Sequence, residues 1–102
     1  MPFTTQEKNN IKRDLVACLY HEPEIVRIVI FGSFLTTSDP YDLDVAVFQT
    51  SDQAYLPLAM RYRSKTRKVA NRITLDILPI KADAQNSVML DTIAQGEVVY
   101  ER

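Results

Sequence analysis

The chain has 102 residues, 46% of them hydrophobic and 25% charged, which is the size and composition of one globular domain spanning residues 1–102. Twelve basic and 13 acidic residues leave a net charge of −1, so charge gives no support for a nucleic-acid-binding protein. One cysteine excludes an internal disulfide. Because no apolar signal region or stretch of transmembrane length is present, we expect a cytoplasmic protein without a membrane segment.

A helix is predicted over residues 5–20. Thr4 and Glu7 have the spacing of a capping box, in which each side chain accepts a hydrogen bond from the other residue's backbone amide. Apolar residues then recur at helical spacing, at Ile11, Leu15, Cys18 and Leu19. The helix is expected to end before Pro23.

The β-branched run at residues 25–31 predicts a strand that is buried on both faces. Gly32 and Ser33 end this strand, and residues 34–41 are expected to form a loop or a short turn of helix. Glycine lets a backbone approach a phosphate closely, and serine adds a hydroxyl and an amide donor. This turn is therefore a candidate phosphate-binding segment.

A second strand is predicted from Asp42 to Phe48. Side chains alternate along a strand, so Asp42 and Asp44 point to the same face as Ala46 and Phe48. Two carboxylates on one face can hold the same hard divalent cation.

A helix with Pro57 in its first turn is predicted to continue to about Arg72, and its second half is strongly basic. Six of the twelve residues from 61 to 72 are lysine or arginine. The simplest interpretation is a solvated face with Tyr62 and Val69 turned inward. The alternative is a surface that binds an acidic partner or RNA.

A third strand is predicted from Ile73 to Ile80, with Pro79 indicating an edge position or the end of the strand. Asp76 lies among apolar residues in this strand, where an unpaired carboxylate is costly. A cation shared with Asp42 and Asp44 would remove that cost and their mutual repulsion.

The chain is predicted to close with a helix over about residues 88–95 and a short strand at residues 97–100. Ser87 can cap this helix, and Gly96 suits the position just past its end. The inward residues are expected to be Met89, Leu90 and Ile93. Helices and strands therefore alternate, which predicts an α/β (α+β) fold with helices packed on a small mixed β-sheet.

The pattern Phe31-Gly32-Ser33, Asp42-Leu43-Asp44 and Asp76 resembles the nucleotidyltransferase superfamily typified by DNA polymerase beta, and in particular its minimal nucleotidyltransferases. The ending at residues 93–101 also looks like that family's closing helix, glycine and strand. The eight-residue spacer between Ser33 and Asp42 is shorter than is usual in this branch.

The resemblance implies Mg²⁺-dependent transfer of a nucleoside monophosphate, expected to be AMP from ATP, to a hydroxyl. Gly32 and Ser33 would hold the phosphates. Apart from the resemblance, the basic segment offers Lys65 or a neighbouring arginine as a further candidate to reach the triphosphate. Asp42 and Asp44 would bind one or two Mg²⁺ ions. Asp76 would help to hold the second ion and would accept the proton of the attacking hydroxyl.

The resemblance also implies a protein partner, because minimal members of this kind resemble antitoxins paired with a helical HEPN-type toxin. Two alternatives stay open. One is a non-enzymatic antitoxin-like binding module of the same fold. The other is a small-molecule nucleotidyltransferase, of the antibiotic-modifying type, which works with a separate substrate-binding subunit.

Overall fold

The computed structural model describes residues 2–85 and 87–102. Within those residues, helices and strands alternate along the chain in the following order: α1 (Thr5–Leu19), β1 (Ile25–Phe31), α2 (Ser33–Thr36), β2 (Asp42–Gln49), α3 (Tyr55–Lys65), α4 (Arg67–Ala70), β3 (Thr74–Lys81), α5 (Val88–Ala94) and β4 (Glu97–Glu101). None of these helices has both the length and the apolar character that a membrane crossing requires.

The four strands form one mixed sheet in the order β3-β2-β1-β4. Strand β1 pairs antiparallel with both β2 and β4, whereas β2 and β3 run parallel and are connected through α3 and α4. This arrangement confirms the predicted fold class. Strand β3 is an edge strand, as Pro79 indicated, because proline cannot donate a ladder hydrogen bond.

One face of the sheet carries the main core, against which α1, α3 and α4 pack. The helices contribute Ile11, Leu15, Leu19, Leu58, Tyr62 and Val69, and the strands contribute Ile28, Ile30, Leu43, Val45, Val47 and Ile77. The opposite face carries a smaller apolar cluster, covered by the seven-residue helix α5. Its members are Val29, Phe31, Ala46, Phe48 and Ile93, with Leu78, Ile80 and Leu90 beside them.

The predicted capping box at the start of α1 is present. Thr4 Oγ1 accepts from the Glu7 amide at 3.0 Å, and Glu7 Oε1 accepts from the Thr4 amide at 2.8 Å. Two amides that lack partners inside the helix are thereby satisfied, which fixes where α1 begins.

The predicted helix does have Pro57 in its first turn, because it begins at Tyr55. Its predicted continuity is wrong, because it is divided into α3 and α4 at Thr66. The Thr66 hydroxyl donates to the carbonyl oxygen of Tyr62 at 2.8 Å, and its backbone leaves helical geometry at φ −108° and ψ 19°. A buried threonine that bonds back to the preceding turn is a recognised cause of helix distortion.

The predicted inward position of Met89 is also wrong. Leu90 and Ile93 contact the sheet, but Met89 keeps 48% of its surface exposed. A helix of seven residues offers only a narrow stripe to the sheet, and residues three apart occupy it.

Candidate active site

Gly32 forms the turn that ends β1. Its φ of 82° and ψ of −156° lie in a region that is essentially restricted to glycine. A Cβ atom added there would lie 2.6 Å from Asp44 Oδ2. The turn therefore needs glycine both for its backbone conformation and for the close approach of the Asp44 carboxylate.

The sheet register brings Asp44 and Asp76 together. Asp44 lies opposite Phe31 across the antiparallel pair β1–β2, and opposite Asp76 across the parallel pair β2–β3. Asp42 precedes Asp44 by two residues and therefore shares its face. The prediction that the three aspartates lie on adjacent strands with side chains on one face is confirmed. That face is the one that α5 covers only in part.

The Asp44 carboxylate lies in an unfavourable electrostatic environment. Partial burial raises the pKa of Asp44, and the nearby negative charges of Asp76 and Asp42 raise it further. Each of these influences disfavours the ionised form. The group is consequently poised to accept a positive charge, in the form of either a proton or a cation.

The donor set fits Mg²⁺, because it consists of carboxylate oxygens with room for water and phosphate. Asp76 is exposed, so the burial cost expected from its apolar sequence neighbours does not arise. Asp42 and Asp44 are half-buried, and Gly32 and Ser33 are exposed. Among residues 2–85 and 87–102, no three acidic, histidine or cysteine side chains converge into a ready-made cage. Mg²⁺ does not need such a cage, since it is usually held by one or two carboxylates, waters and substrate phosphates.

The segment after Gly32 is held in place by α1. Lys8 Nζ donates to the carbonyl oxygen of Phe34 at 2.7 Å and also to that of Thr37. The buried Phe34 ring lies below this ammonium group, with its centroid 5.2 Å from Nζ. The role of Lys8 could not be predicted from the sequence, because a single lysine on the polar side of a helix carries no signal of a contact 26 residues away.

A cleft of about 300 Å³ adjoins Gly32 between α2 and α5. It is lined by Phe31, Gly32, Leu35, Thr36, Thr92, Gln95 and Gly96. Substrate atoms therefore have space beside the turn, on the face of the sheet that bears the aspartates.

Comparison with protein families agrees with this geometry. The model of the family described as "Polymerase beta, Nucleotidyltransferase" matches residues 13–102, which is most of the chain. The chain belongs to this family. Membership identifies it as a nucleotidyltransferase.

Solved structures with the same fold contain minimal nucleotidyltransferases. One is tri-AMPylated Shewanella oneidensis HEPN toxin in complex with MNT antitoxin, with 18% identity and a TM-score of 0.63, covering 93% of this chain and 73% of that chain. Another is the toxin-antitoxin MntA-HepT, with 17% identity and a TM-score of 0.61, covering 92% of this chain and 73% of that chain. A comparison with curated proteins gave no significant match.

Lys65 of this nucleotidyltransferase is not at the candidate site. Its Nζ lies 3.1 Å from Glu22 Oε1, an ion-pair distance. The helix that bears Lys65, α3, packs through Leu58 and Tyr62 on the face of the sheet opposite the aspartates. The prediction that Lys65 reaches the triphosphate is therefore wrong in this arrangement. The buried Glu22, in the loop between α1 and β1, attracts the lysine instead.

Proposed function

We propose that this nucleotidyltransferase transfers AMP from ATP to a hydroxyl of a HEPN-type protein and acts as its antitoxin. The observation that supports the chemistry is the pairing of Asp44 with Asp76 beside Gly32. A backbone that phosphate can approach and carboxylates that can bind a cation thus share one end of the sheet. The partner class is suggested by the neighbouring structures, which are toxin–antitoxin complexes, one with an AMPylated HEPN toxin.

The residues of the site have complementary roles in this proposal. The exposed turn at Gly32 and Ser33 binds phosphate oxygens through backbone amides and the serine hydroxyl. Asp42 and Asp44 hold Mg²⁺, and Asp76 helps to hold a second ion. When bound, Mg²⁺ supplies the positive charge that stabilises the triphosphate and the departing pyrophosphate.

The reaction is a substitution at the α-phosphorus of ATP. The acceptor oxygen forms a bond to that phosphorus while the bond to the bridging oxygen of the β-phosphate breaks, and pyrophosphate leaves. The proton of the acceptor hydroxyl passes to Asp76, which is exposed on the open face of the sheet. The acceptor becomes an AMP ester.

The test is a transfer assay with a matched pair of variants. The purified chain, Mg²⁺ and α-labelled ATP are incubated with the HEPN-type protein of the same organism, and label on that protein is measured. We expect wild-type transfer that EDTA abolishes. Asp44→Asn should reduce the rate by at least about a hundredfold, since it removes a charged group that binds the metal. Asp52→Asn, at a fully exposed aspartate on the opposite end of the sheet, should leave the rate unchanged.

Other outcomes of the same assay separate the remaining functions. A stable complex without any labelled protein would contradict transfer and favour an antitoxin that acts only by binding. Label on an added small-molecule alcohol at the wild-type rate, with none on the protein, would favour a small-molecule nucleotidyltransferase.

A further inference from the structure

The outward side of α3 carries two large apolar side chains that no other part of the described chain covers. Leu56 is 61% exposed and Met60 is 60% exposed. They lie four residues apart, so they are neighbours on one side of the helix. Scattered single apolar residues are normal on a protein surface, but adjacent ones form a patch.

The basic residues that follow divide into two groups. Arg61 and Lys65 lie 2.7 and 3.1 Å from the buried Glu22 carboxylate, and Lys68 and Arg72 pair with Asp14. The other two, Arg63 and Arg67, form no ion pair with the residues that the structure describes. Most of the basic run is therefore neutralised within the chain, and two arginines are available to a partner.

Arg63 continues the row of exposed apolar residues. The sequence separations from Leu56 to Met60 and from Met60 to Arg63 are four and three, which places all three on one side of α3. Arg67 is the first residue of α4 and follows Arg63 by four residues, past the break at Thr66. We call Leu56, Met60 and Arg63 of α3, together with Arg67 of α4, the α3 stripe. It is apolar at its N-terminal end and cationic at its C-terminal end.

The composition of the α3 stripe indicates the kind of ligand. Only two arginines are free, the acidic Glu22 and Asp14 neutralise the other basic residues, and the chain has a net charge of −1. The electrostatic attraction for a polyanion such as RNA is therefore weak. A polyanion would also leave the apolar side chains of Leu56 and Met60 uncovered. A protein surface with both apolar and acidic groups complements the whole stripe.

We propose that the α3 stripe docks an amphipathic acidic helix of the partner protein. Apolar side chains of that helix cover Leu56 and Met60, and its carboxylates pair with Arg63 and Arg67. Side chains spaced by three and four residues form the ridges that pack into the grooves of another helix. The identity of the partner as a HEPN-type protein rests on the proposed function above.

This docking surface is separate from the candidate active site. The inner side of α3 packs through Leu58 and Tyr62 on one face of the sheet, and the aspartates lie on the other face. Binding through the stripe therefore does not require the chemistry. The hydroxyl that is modified at the aspartates must therefore belong to a different segment of the partner from the helix docked on the stripe.

The test compares variants of the stripe with matched variants elsewhere, by calorimetric titration with the HEPN-type protein. Leu56→Glu with Met60→Glu should weaken binding by at least about tenfold, as is typical when central apolar contacts are lost. Arg63→Glu with Arg67→Glu should weaken it similarly and should reduce its dependence on salt. The matched controls are Val88→Glu and Arg13→Glu, both at exposed positions on other elements. They should bind as wild type does.

Three results would count against the proposal. One is wild-type affinity in both stripe variants, with circular dichroism confirming that every variant is folded. Another is a larger loss in Val88→Glu than in the stripe variants, which would move the docking surface to α5. Binding of single-stranded RNA that the Arg63→Glu, Arg67→Glu variant loses, with no protein complex, would also count against it.

The same variants distinguish failure of docking from failure of transfer. Asp44→Asn should bind the partner with wild-type affinity and transfer nothing. The stripe variants should keep wild-type affinity for Mn²⁺, measured by electron paramagnetic resonance. If Asp44→Asn still transfers label at the wild-type rate, the proposed chemistry fails and the docking surface stands. If Asp44→Asn loses affinity for the partner while the stripe variants do not, the docking surface fails.

Discussion

Gly32 shows how a single residue can couple backbone conformation to the chemistry of a site. Its positive φ positions the turn, and the hydrogen atom in place of a Cβ leaves space for the Asp44 carboxylate. These two requirements have separate physical origins but fall on one position. The residue is therefore expected to tolerate no substitution without loss of both stability and site geometry.

Gly32→Ala should lower the free energy of unfolding by about 1–3 kcal/mol, the usual cost of such a backbone conformation in other residues. It should also weaken Mn²⁺ binding, because the added methyl group displaces Asp44. Urea unfolding and metal titration measure the two effects. Gly96→Ala is the control, since its Cβ would lie 2.4 Å from the Ile30 carbonyl oxygen and away from the aspartates. It should lose stability but retain metal affinity.

Asp44 contributes a pH-dependent penalty to the metal-free fold. Its pKa is raised above 3.8 by burial and by Asp76 and Asp42, so stability present at low pH is lost as pH rises through the folded-state value. Asp44→Asn removes this loss. The variant should equal wild type near pH 3 and exceed it at pH 7, by less than about 1 kcal/mol because solvent screens the carboxylates.

Urea unfolding at the two pH values, without divalent metal, measures this difference. A variant that is less stable than wild type at pH 7 would show that Asp44 has a structural role that outweighs the repulsion.

Short elements of this fold depend on contacts from elsewhere in the chain. Helix α2 has four residues, too few to be stable by itself. It is supported by the buried Phe34 and by Lys8 of α1, whose ammonium group binds two carbonyl oxygens near its end. Cations at a helix C-terminus are favourable because carbonyl groups there lack partners.

Lys8→Met should therefore loosen the segment after Gly32 while keeping the apolar part of the side chain. We expect a loss of about 1–3 kcal/mol in unfolding free energy, since hydrogen bonds to charged groups are stronger than neutral ones. Transfer activity should fall as well. Lys12→Met is the comparison, because its ion pair with Glu97 is partly exposed and should contribute less than about 1 kcal/mol. Similar losses in both variants would contradict a special role for Lys8.

At the scale of the whole molecule, the two faces of the sheet differ in burial. Three helices cover one face with the main core, and one short helix leaves the aspartates of the other face accessible. Ligands can therefore reach the candidate site without any opening of the core. We expect Mg²⁺ and ATP to bind the native chain directly.

Such binding should raise the thermal midpoint of the chain. At a ligand concentration about 100 times Kd, the gain is about 2.7 kcal/mol, which corresponds to roughly 10–20 °C for a domain of this size. Differential scanning fluorimetry with Mg²⁺ and ATP measures it. Asp52→Asn should show the same rise, and Asp44→Asn little or none. An equal rise in both variants would argue against Asp44 as a ligand.

Much of this fold could be predicted because its strands have strong local patterns. The apolar run of β1 and the alternation of β2 fix both the strands and the face on which Asp42 and Asp44 lie. Three features could not be predicted in the same way: the helix break at Thr66, the exposure of Met89 and the ion pair of Lys65. Met89 and Lys65 depend on tertiary partners, the sheet surface beneath α5 and the buried Glu22. The break at Thr66 depends on a local choice, because its hydroxyl bonds back to the Tyr62 carbonyl oxygen. The catalytic and metal-binding roles of the aspartates stay predictions.

Two glutamates in the loop between α1 and β1 help to set the rotational orientation of α3, that is, which of its sides faces the core. Glu22 attracts Arg61 and Lys65 from one side of the helix, and Glu24 accepts a hydrogen bond from the Tyr62 hydroxyl at 2.9 Å. Burial raises the pKa of Tyr62, so this hydroxyl stays a donor across the physiological range. These three contacts, together with burial of Leu58 and Tyr62, oppose rotation of α3 about its axis. The side chains on the outer surface of α3 are therefore pre-organised for a partner, which lowers the entropy cost of binding.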